Sequence, residues 1–334
     1  MKFFDKSMNY MLTIWIFAVF YSIIEQIYNE QDKNMYYYSL NNYLKEKFGK
    51  KVYKLSLNAG TTCPNRDGKL GTRGCIFCSA GGSGEFAADK NLSITEQINQ
   101  AKVKVKDKIK TNKYIAYFQS YTGTYAPVEY LRKIFFEAVN NEETVALSIA
   151  TRPDCLQEPV LKLLSDLNDV KPVWVELGLQ TILDSTAKYI RRGYPLSVYE
   201  KAVENLHKIG IEVITHVILG LPNESKEDML STVRYVGKVT DGIKLQLLHV
   251  LKGTDLYTEY VNGKFDVLSM EGYIDILCDC IENLPKNVVI HRLTGDGDKR
   301  LLVAPLWSAD KKTVLNSINR EFTRRNIIQG NKLK

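Results

Sequence analysis

The stretch Asn58-AGTTCPNRDGKLGTRGCIFCSAGGSG-Glu85 gathers Cys63, Cys75 and Cys78 in one glycine-flanked loop. No fourth ligand follows closely: the next cysteine is Cys155, and no histidine precedes His207. A closed zinc site wants four protein ligands, usually as two close pairs. Three thiolates clustered by themselves fit an iron–sulfur cluster that keeps one iron free of protein ligands. A zinc ribbon lacking its partners and unrelated free thiols are the competing readings. Cys75 and Cys78 bracket only Ile76 and Phe77, a spacing that lets both reach one cluster. Cys63 arrives across eleven residues that include Pro64, Asn65, Asp67, Gly68, Gly71 and Gly74, turn formers able to curl the chain around it. Phe77 is placed to cover a bound aromatic base; as a core aromatic it would carry no function.

Outward from that loop, apolar β-branched runs alternate with amphipathic segments. Strands are expected near Val52–Leu57, Tyr114–Gln119, Val145–Ala150, Val173–Leu179, Glu212–Leu219 and Ile243–His249. Helices are expected near Ser93–Lys110, Pro127–Val139, Glu158–Leu167, Ser197–Ile209 and Lys226–Lys238. Apolar strands separated by helices predict a parallel sheet with covered faces, and six such units predict a partial (β/α)6 barrel of the TIM type. Ser93-Ile-Thr-Glu96 reads as a capping box, and Asn223-Glu-Ser-Lys-Glu-Asp places cap candidates and acids at another helix start. After Lys252 the pattern changes to a connector, a helix near Met270–Leu284, a strand near Asn287–Leu293 and a helix near Lys312–Arg324. Residues 35–251 are thus expected to form the core barrel, and 252–334 a C-terminal α/β extension packed on it. Distinctive residues fall at strand ends: the cysteine loop, Gln119–Thr122, Thr151–Asp154, Glu176 and Gln180, His216 and His249. In α/β barrels that rim carries the chemistry.

The chain has 334 residues, 45% of them hydrophobic, enough for a large core. Six cysteines without a disulfide-framework spacing point to a reducing compartment, and the expected location is the cytoplasm. A net charge of +7 hints at an anionic partner. Residues 1–34 contain the apolar run Met11–Ile24, which is shorter than a membrane span. It lacks a small-residue cleavage site after Ile24, which argues against a signal peptide. An upstream start ahead of Met35, a membrane anchor and a packed extra helix are the alternatives for this extension. An exported body would conflict with a cluster that must be reduced, so no membrane role is expected unless the segment is a true anchor.

The cysteine loop resembles the motif of the radical S-adenosylmethionine (SAM) superfamily, whose last two cysteines also flank an X-aromatic pair. The first gap is usually three residues and here is eleven, similar to the YhcC/YtqA-type radical SAM proteins with their CPNRDG…GGC-x-FC loop. Further stretches carry the same resemblance: Tyr117-FQSYTGTYAP-Val128, Leu147-SIATRPDC-Leu156, Trp174-VELGLQT-Ile182, His216-VILGLP-Asn223, Leu247-LHVLKGT-Asp255 and His291-RLTGDG-Asp298. It runs from about Met35 to the C-terminus. The TRPD and LGLQ segments also resemble, more distantly, the radical SAM domain of the elongator catalytic subunit, tied to the wobble uridine of transfer RNA.

The resemblance implies a [4Fe–4S] cluster on Cys63, Cys75 and Cys78, SAM as cosubstrate, a 5′-deoxyadenosyl radical, and a low-potential electron donor such as flavodoxin or ferredoxin. By matching positions, Gln119, Ser120 and Thr122 would meet the methionine end of SAM, where the superfamily commonly has Gly-Gly-Glu. Glu176 and Gln180 would meet the ribose hydroxyls, Arg152 or Arg192 the SAM carboxylate, and Leu219–Pro222 the adenine. His216, His249 and His291 are candidates for proton handling, with a satisfied core histidine as the plain alternative. Gly81–Gly84 reads as slack for the loop. Two basic stretches, Lys102–Tyr114 and Arg320–Lys334, suggest a polyanion, the second more than the first. The expected substrate is transfer RNA and not DNA, with a small molecule or protein side chain as the rival, and a non-catalytic iron–sulfur sensor as the third reading.

Overall fold

The computed structural model describes residues 36–106, 111–295 and 297–333. The apolar N-terminal extension with Met35, residues 107–110 within the first basic stretch, position 296 and position 334 lie outside the described residues. In chain order the elements are α1 (Leu40–Phe48), β1 (Tyr53–Leu57), α2 (Ile94–Val105), β2 (Tyr114–Phe118), α3 (Val128–Val139), β3 (Thr144–Thr151), α4 (Glu158–Asn168) and β4 (Val173–Gln180). They continue with α5 (Asp184–Tyr189), α6 (Leu196–Lys208), β5 (Glu212–Leu219), α7 (Lys226–Gly237), β6 (Gly242–Leu247), β7 (Val250–Leu251) and α8 (Asp255–Val261). The last are α9 (Met270–Glu282), β8 (Val289–Arg292), β9 (Leu302–Ala304) and α10 (Lys311–Arg325).

Seven strands form one parallel sheet in the order β1-β2-β3-β4-β5-β6-β8, curled into a half-barrel with helices around it. The expected strands sit within two residues of their observed ends. The C-terminal part does more than pack on the outside: β8 joins β6 in parallel and supplies a seventh strand. A short antiparallel pair, β7 with β9, stands apart from the sheet. Two of the helix starts follow the expected chemistry, with reciprocal capping boxes at Ser93/Glu96 and Ser225/Asp228.

Strand side chains alternate between the helix-covered outer face and the barrel interior. Outer positions such as Phe118, Leu147, Val175, Val213 and Leu245 are fully buried against the helices in the main core. Inner positions change character along the barrel axis. At the N-terminal end Ile115, Ala146, Trp174 and Ile214 pack with Leu44 of α1 into an apolar plug. Two residues further along the same strands stand Tyr117, Ser148, Glu176 and His216, joined by Lys54 and Lys244. Sequence reading treated these strands as apolar on both faces; the interior is instead apolar below and polar above.

The last helix closes the structure against the residues before α1. Phe322 is fully buried and receives the ring edges of Tyr36 and Tyr37 at centroid distances of 5.8 and 6.1 Å. Removing an aromatic ring from such a site leaves a cavity that the surroundings refill only in part. Phe322→Ala is expected to cost about 3–5 kcal/mol of stability, read as a lower urea midpoint with retained secondary structure at zero denaturant.

Candidate active site

The sequence Cys63-Pro-Asn-Arg-Asp begins the loop after β1 and turns back on itself through short backbone bonds. Arg66 N–H donates to Cys63 O (2.8 Å), Leu70 N–H to Pro64 O (2.8 Å) and Gly74 N–H to Asn65 O (2.8 Å). The eleven-residue insertion thus closes like a noose, returning the chain to Cys75 beside Cys63. Cys63, Cys75 and Cys78 line one cavity of about 260 Å³ at the C-terminal ends of the strands. Cys155, Cys278 and Cys280 are buried and do not line it. Among the described residues no group of three or more His, Cys, Asp or Glu is arranged for a single metal ion. Sulfurs on separate irons of a cubane stand further apart than ligands of one ion, so the trio suits a cluster. Burial pushes the Cys75 thiol up to about 12, with Cys78 adding to the rise. Burial also raises Cys78, although Arg66 opposes it. Coordinated sulfurs are thiolates, so cluster binding must displace these protons.

The cavity wall carries buried polar atoms that meet no hydrogen-bond partner: Thr122 Oγ1, Gln180 Oε1 and Arg192 Nη2. Such groups are costly unless a ligand satisfies them, and together with three soft thiols they fit an iron–sulfur cluster carrying a polar nucleotide-like cosubstrate. Gln180 and Tyr121, at the ends of β4 and β2, hold left-handed backbone angles (φ 71° and 54°). For side-chain-bearing residues this is uncommon and clusters at functional sites. Phe77 lines the same wall and packs with the apolar group of Ile190 and Ile218.

The other expected contacts are distributed unevenly. Gln119 lines the cavity, but its amide is held at both ends, donating to Ser83 O (2.6 Å) and accepting from Ser56 Oγ (3.1 Å). Ser120 is buried with an unpartnered hydroxyl, yet it does not line the cavity. Arg152 lines it while making a two-pronged pair with Asp154 (2.9 and 2.8 Å). Arg192 donates to Tyr194 O and Thr181 O, keeping one nitrogen over. Leu219–Pro222 does not line the cavity. Gly81–Gly84 is not slack: a Cβ at Gly84 would stand 2.1 Å from Ser120 Oγ, and Tyr121 N–H donates to Gly82 O (2.8 Å). That segment is a close-packed bridge from the cysteine loop to the end of β2.

Glu176 is fully engaged inside the barrel. Its Oε1 accepts from Lys54 Nζ (2.5 Å) and Ser148 Oγ (2.7 Å). Its Oε2 accepts from His216 Nε2 (2.8 Å) and Lys244 Nζ. Burial alone would raise this carboxyl, but Lys244 and Lys54 hold it well below the usual carboxylate range. Burial lowers His216 to about 4, so its ring is neutral and donates. Burial also draws the Lys244 ammonium down to about 7 against the pull of Glu176, with Lys54 adding to the fall. Lys244 Nζ lies 3.1 Å from the Tyr117 hydroxyl.

A second cavity of about 370 Å³ lies between the sheet's two edge strands, bordered by Lys54 of β1, His291 and Arg292 of β8, and Leu44 of α1. It shares Tyr117, Gln119, Lys244 and Arg292 with the first. Of the candidate histidines, His216 and His249 line the first cavity and His291 the second. Lys54, Lys244 and Tyr117 were not singled out from sequence. The signal was present in Gly242-IKLQ-Leu247, where an ionisable residue, Lys244, interrupts a buried strand.

Several cations of the basic tail, and Lys102 of the first stretch, are answered by acids. Lys102 pairs with Glu143, Arg324 and Arg325 with Glu321, and Lys332 with Asp279 and Glu282. The tail is therefore a weaker phosphate strip than its composition suggests.

The model of the Radical SAM superfamily matches residues 60–236, and that of the Radical_SAM C-terminal domain matches residues 240–324. These matches meet ahead of β6, earlier than the expected division at 251/252, and the sheet runs through both. YtqA of Bacillus subtilis is 44% identical over 295 residues, covering 88% of this chain and 92% of that protein. The tRNA uridine(34) acetyltransferase of Methanocaldococcus infernus is 29% identical over 156 residues, 46% of this chain and 29% of its own length. The solved structure of archaeal M. infernus Elp3, with its N-terminus (1–46) deleted, aligns with a TM-score of 0.65 at 19% identity. It covers 83% of this chain and 64% of that one, a likeness of fold.

Replacing Cys63, Cys75 or Cys78 singly by Ala is expected to abolish the iron–sulfur absorbance of anaerobically reconstituted protein. Cys155→Ser, Cys278→Ser and Cys280→Ser should keep wild-type iron and sulfide content; iron loss in these would mean that the ligands are misassigned.

Proposed function

The chain belongs to the radical SAM superfamily, and from that premise we propose that it modifies a wobble uridine of transfer RNA, with the target base drawn into the barrel lumen. It is a radical SAM enzyme, using a [4Fe–4S] cluster and SAM. Bound together, these supply one-electron cleavage of SAM to methionine and a 5′-deoxyadenosyl radical that takes a hydrogen atom from substrate. Cys63, Cys75 and Cys78 would hold the cluster. Thr122, Gln180 and Arg192 would turn their unpartnered atoms to SAM, and Phe77 would cover its base. Gln119, Arg152 and Glu176 already serve neighbours, so a direct SAM contact from them requires a second acceptor or donor on the same side chain, and Ser120, whose hydroxyl is unpartnered, stands outside the cavity wall. A low-potential donor such as flavodoxin or ferredoxin would deliver the electron.

The observation that carries the substrate reading is the polar layer directly beneath the cofactor cavity. Uracil presents two carbonyl acceptors on a flat ring, and the Lys54 and Lys244 ammoniums and the Tyr117 hydroxyl offer donors at matching depth. The near-neutral Lys244 can give or take a proton at the substrate without leaving its place against Glu176. The second cavity, opening between the edge strands, offers a way into this layer. Partial similarity to a tRNA uridine(34) acetyltransferase and the net charge of +7 support a polyanion as the carrier of the base. Among the described residues no helix is long and apolar enough to cross a membrane.

Incubation with dithionite and SAM is expected to release 5′-deoxyadenosine, and its absence would favour a non-catalytic cluster protein. Transfer RNA should bind at low salt and show a changed wobble nucleoside after turnover. Failure of both would move the substrate to a small molecule or protein side chain. Lys244→Gln should retain SAM cleavage while losing about two orders of magnitude in nucleoside product.

A further inference from the structure

The eleven-residue insertion between Cys63 and Cys75 does more than span a distance. Its first two polar residues turn inward onto the cysteines instead of out to solvent. Asn65 is 5% exposed, and its Nδ2 donates to Arg191 O (2.7 Å) and to Cys75 Sγ (3.4 Å). The bond to Arg191, at the end of α5, fixes the amide so that its second hydrogen faces the sulfur. A Cβ at Gly193 would stand 2.9 Å from Asn65 Oδ1, so the amide is confined on that side as well. Arg66 reaches across the noose and donates through Nη2 to Cys78 O (2.9 Å) and Ser79 O (2.6 Å). Its guanidinium is thereby held at the backbone of Cys78, where its charge opposes the rise that burial imposes on that thiol. Gly74 is needed for this approach, since a Cβ there would lie 2.9 Å from Arg66 Nε.

An iron–sulfur cluster gains one negative charge on reduction, and its thiolate sulfurs carry part of it. A donor N–H on a ligand sulfur and a fixed cation near another therefore stabilise the reduced state more than the oxidised one. We propose that Asn65 and Arg66 tune the reduction potential of the cluster upward, so that the long insertion serves as an electrostatic support for the electron that starts turnover. This rests on the assignment of the cluster to Cys63, Cys75 and Cys78. Asn65 acts on Cys75 through hydrogen bonding, and Arg66 acts on Cys78 through charge. Both are positioning residues, outside the set that touches the reacting atoms. The third ligand, Cys63, has its carbonyl bonded by the N–H groups of Arg66 and Asp67, so all three ligands are braced from the same insertion.

The test is a dye-mediated redox titration of reconstituted full-length protein, followed by the electron paramagnetic resonance signal of the reduced cluster. Wild type, Asn65→Ala, Arg66→Gln and Arg66→Lys are compared at equal iron and sulfide content. Asn65→Ala and Arg66→Gln are expected to titrate at a more negative midpoint than wild type, and Arg66→Lys, which keeps the charge, to shift less than Arg66→Gln. Should Asn65→Ala fail to hold a cluster through loss of its Arg191 bond, the Arg66 pair decides the matter. Midpoints unchanged in every cluster-bearing variant, or Gln and Lys shifting alike at position 66, would overturn the proposal. A wild-type protein that binds no cluster on these cysteines would instead overturn the assignment beneath it.

Discussion

The arrangement inside this barrel depends on one buried carboxylate. Glu176, on the central strand of the sheet, accepts from groups on β1, β3, β5 and β6. Four strands thus meet on two oxygens. Isolated charges would be expelled from such an interior, and two lysines could not stand there without an anion between them. Glu176 makes a polar lumen possible above an apolar plug, and the polar lumen gives the rim above it a floor. Loss of that carboxylate would leave Lys54 and Lys244 uncompensated inside the barrel.

Above this floor, the rim is assembled from segments that cannot hold a cofactor alone. The cysteine noose brings three thiols to one wall, and the ends of β2 and β4 bring Thr122 and Gln180 through left-handed turns. Arg192 reaches the same wall from the turn after α5, anchored by three backbone carbonyls, with its Nη2 unpartnered. The donors converge because the sheet is curled, with each strand delivering its C-terminal end to one side. Chemistry and fold are linked through that curvature.

Much of this was legible in the chain. Apolar β-branched runs marked six parallel strands, and Ser93/Glu96 with the cap candidates of the run Asn223–Asp228 marked helix starts, because both signals are local. The cysteine trio was legible because spacing alone separates three ligands from four. The lumen was not: Lys244 sits in an otherwise apolar run, and only the folded sheet, which sets it beside His216 of β5, brings its ammonium to Glu176. The β7–β9 pair was missed because strands of two and three residues carry no period. Gly81–Gly84 looked like slack because its reason for being small, the approach of Ser120 and Tyr121, lies nearly forty residues away in sequence. The basic tail looked free for the same kind of reason, its acidic partners Asp279 and Glu282 being distant in the chain.

The central claim is that three protein sulfurs hold the cluster and that its remaining iron meets SAM. Electron–nuclear double resonance on the reduced protein, with SAM labelled by ¹⁵N at the methionine amine and ¹⁷O at its carboxylate, addresses this directly. The account predicts hyperfine coupling of both labels to the cluster. Absence of coupling from either label, with every iron carrying a protein ligand, would contradict it.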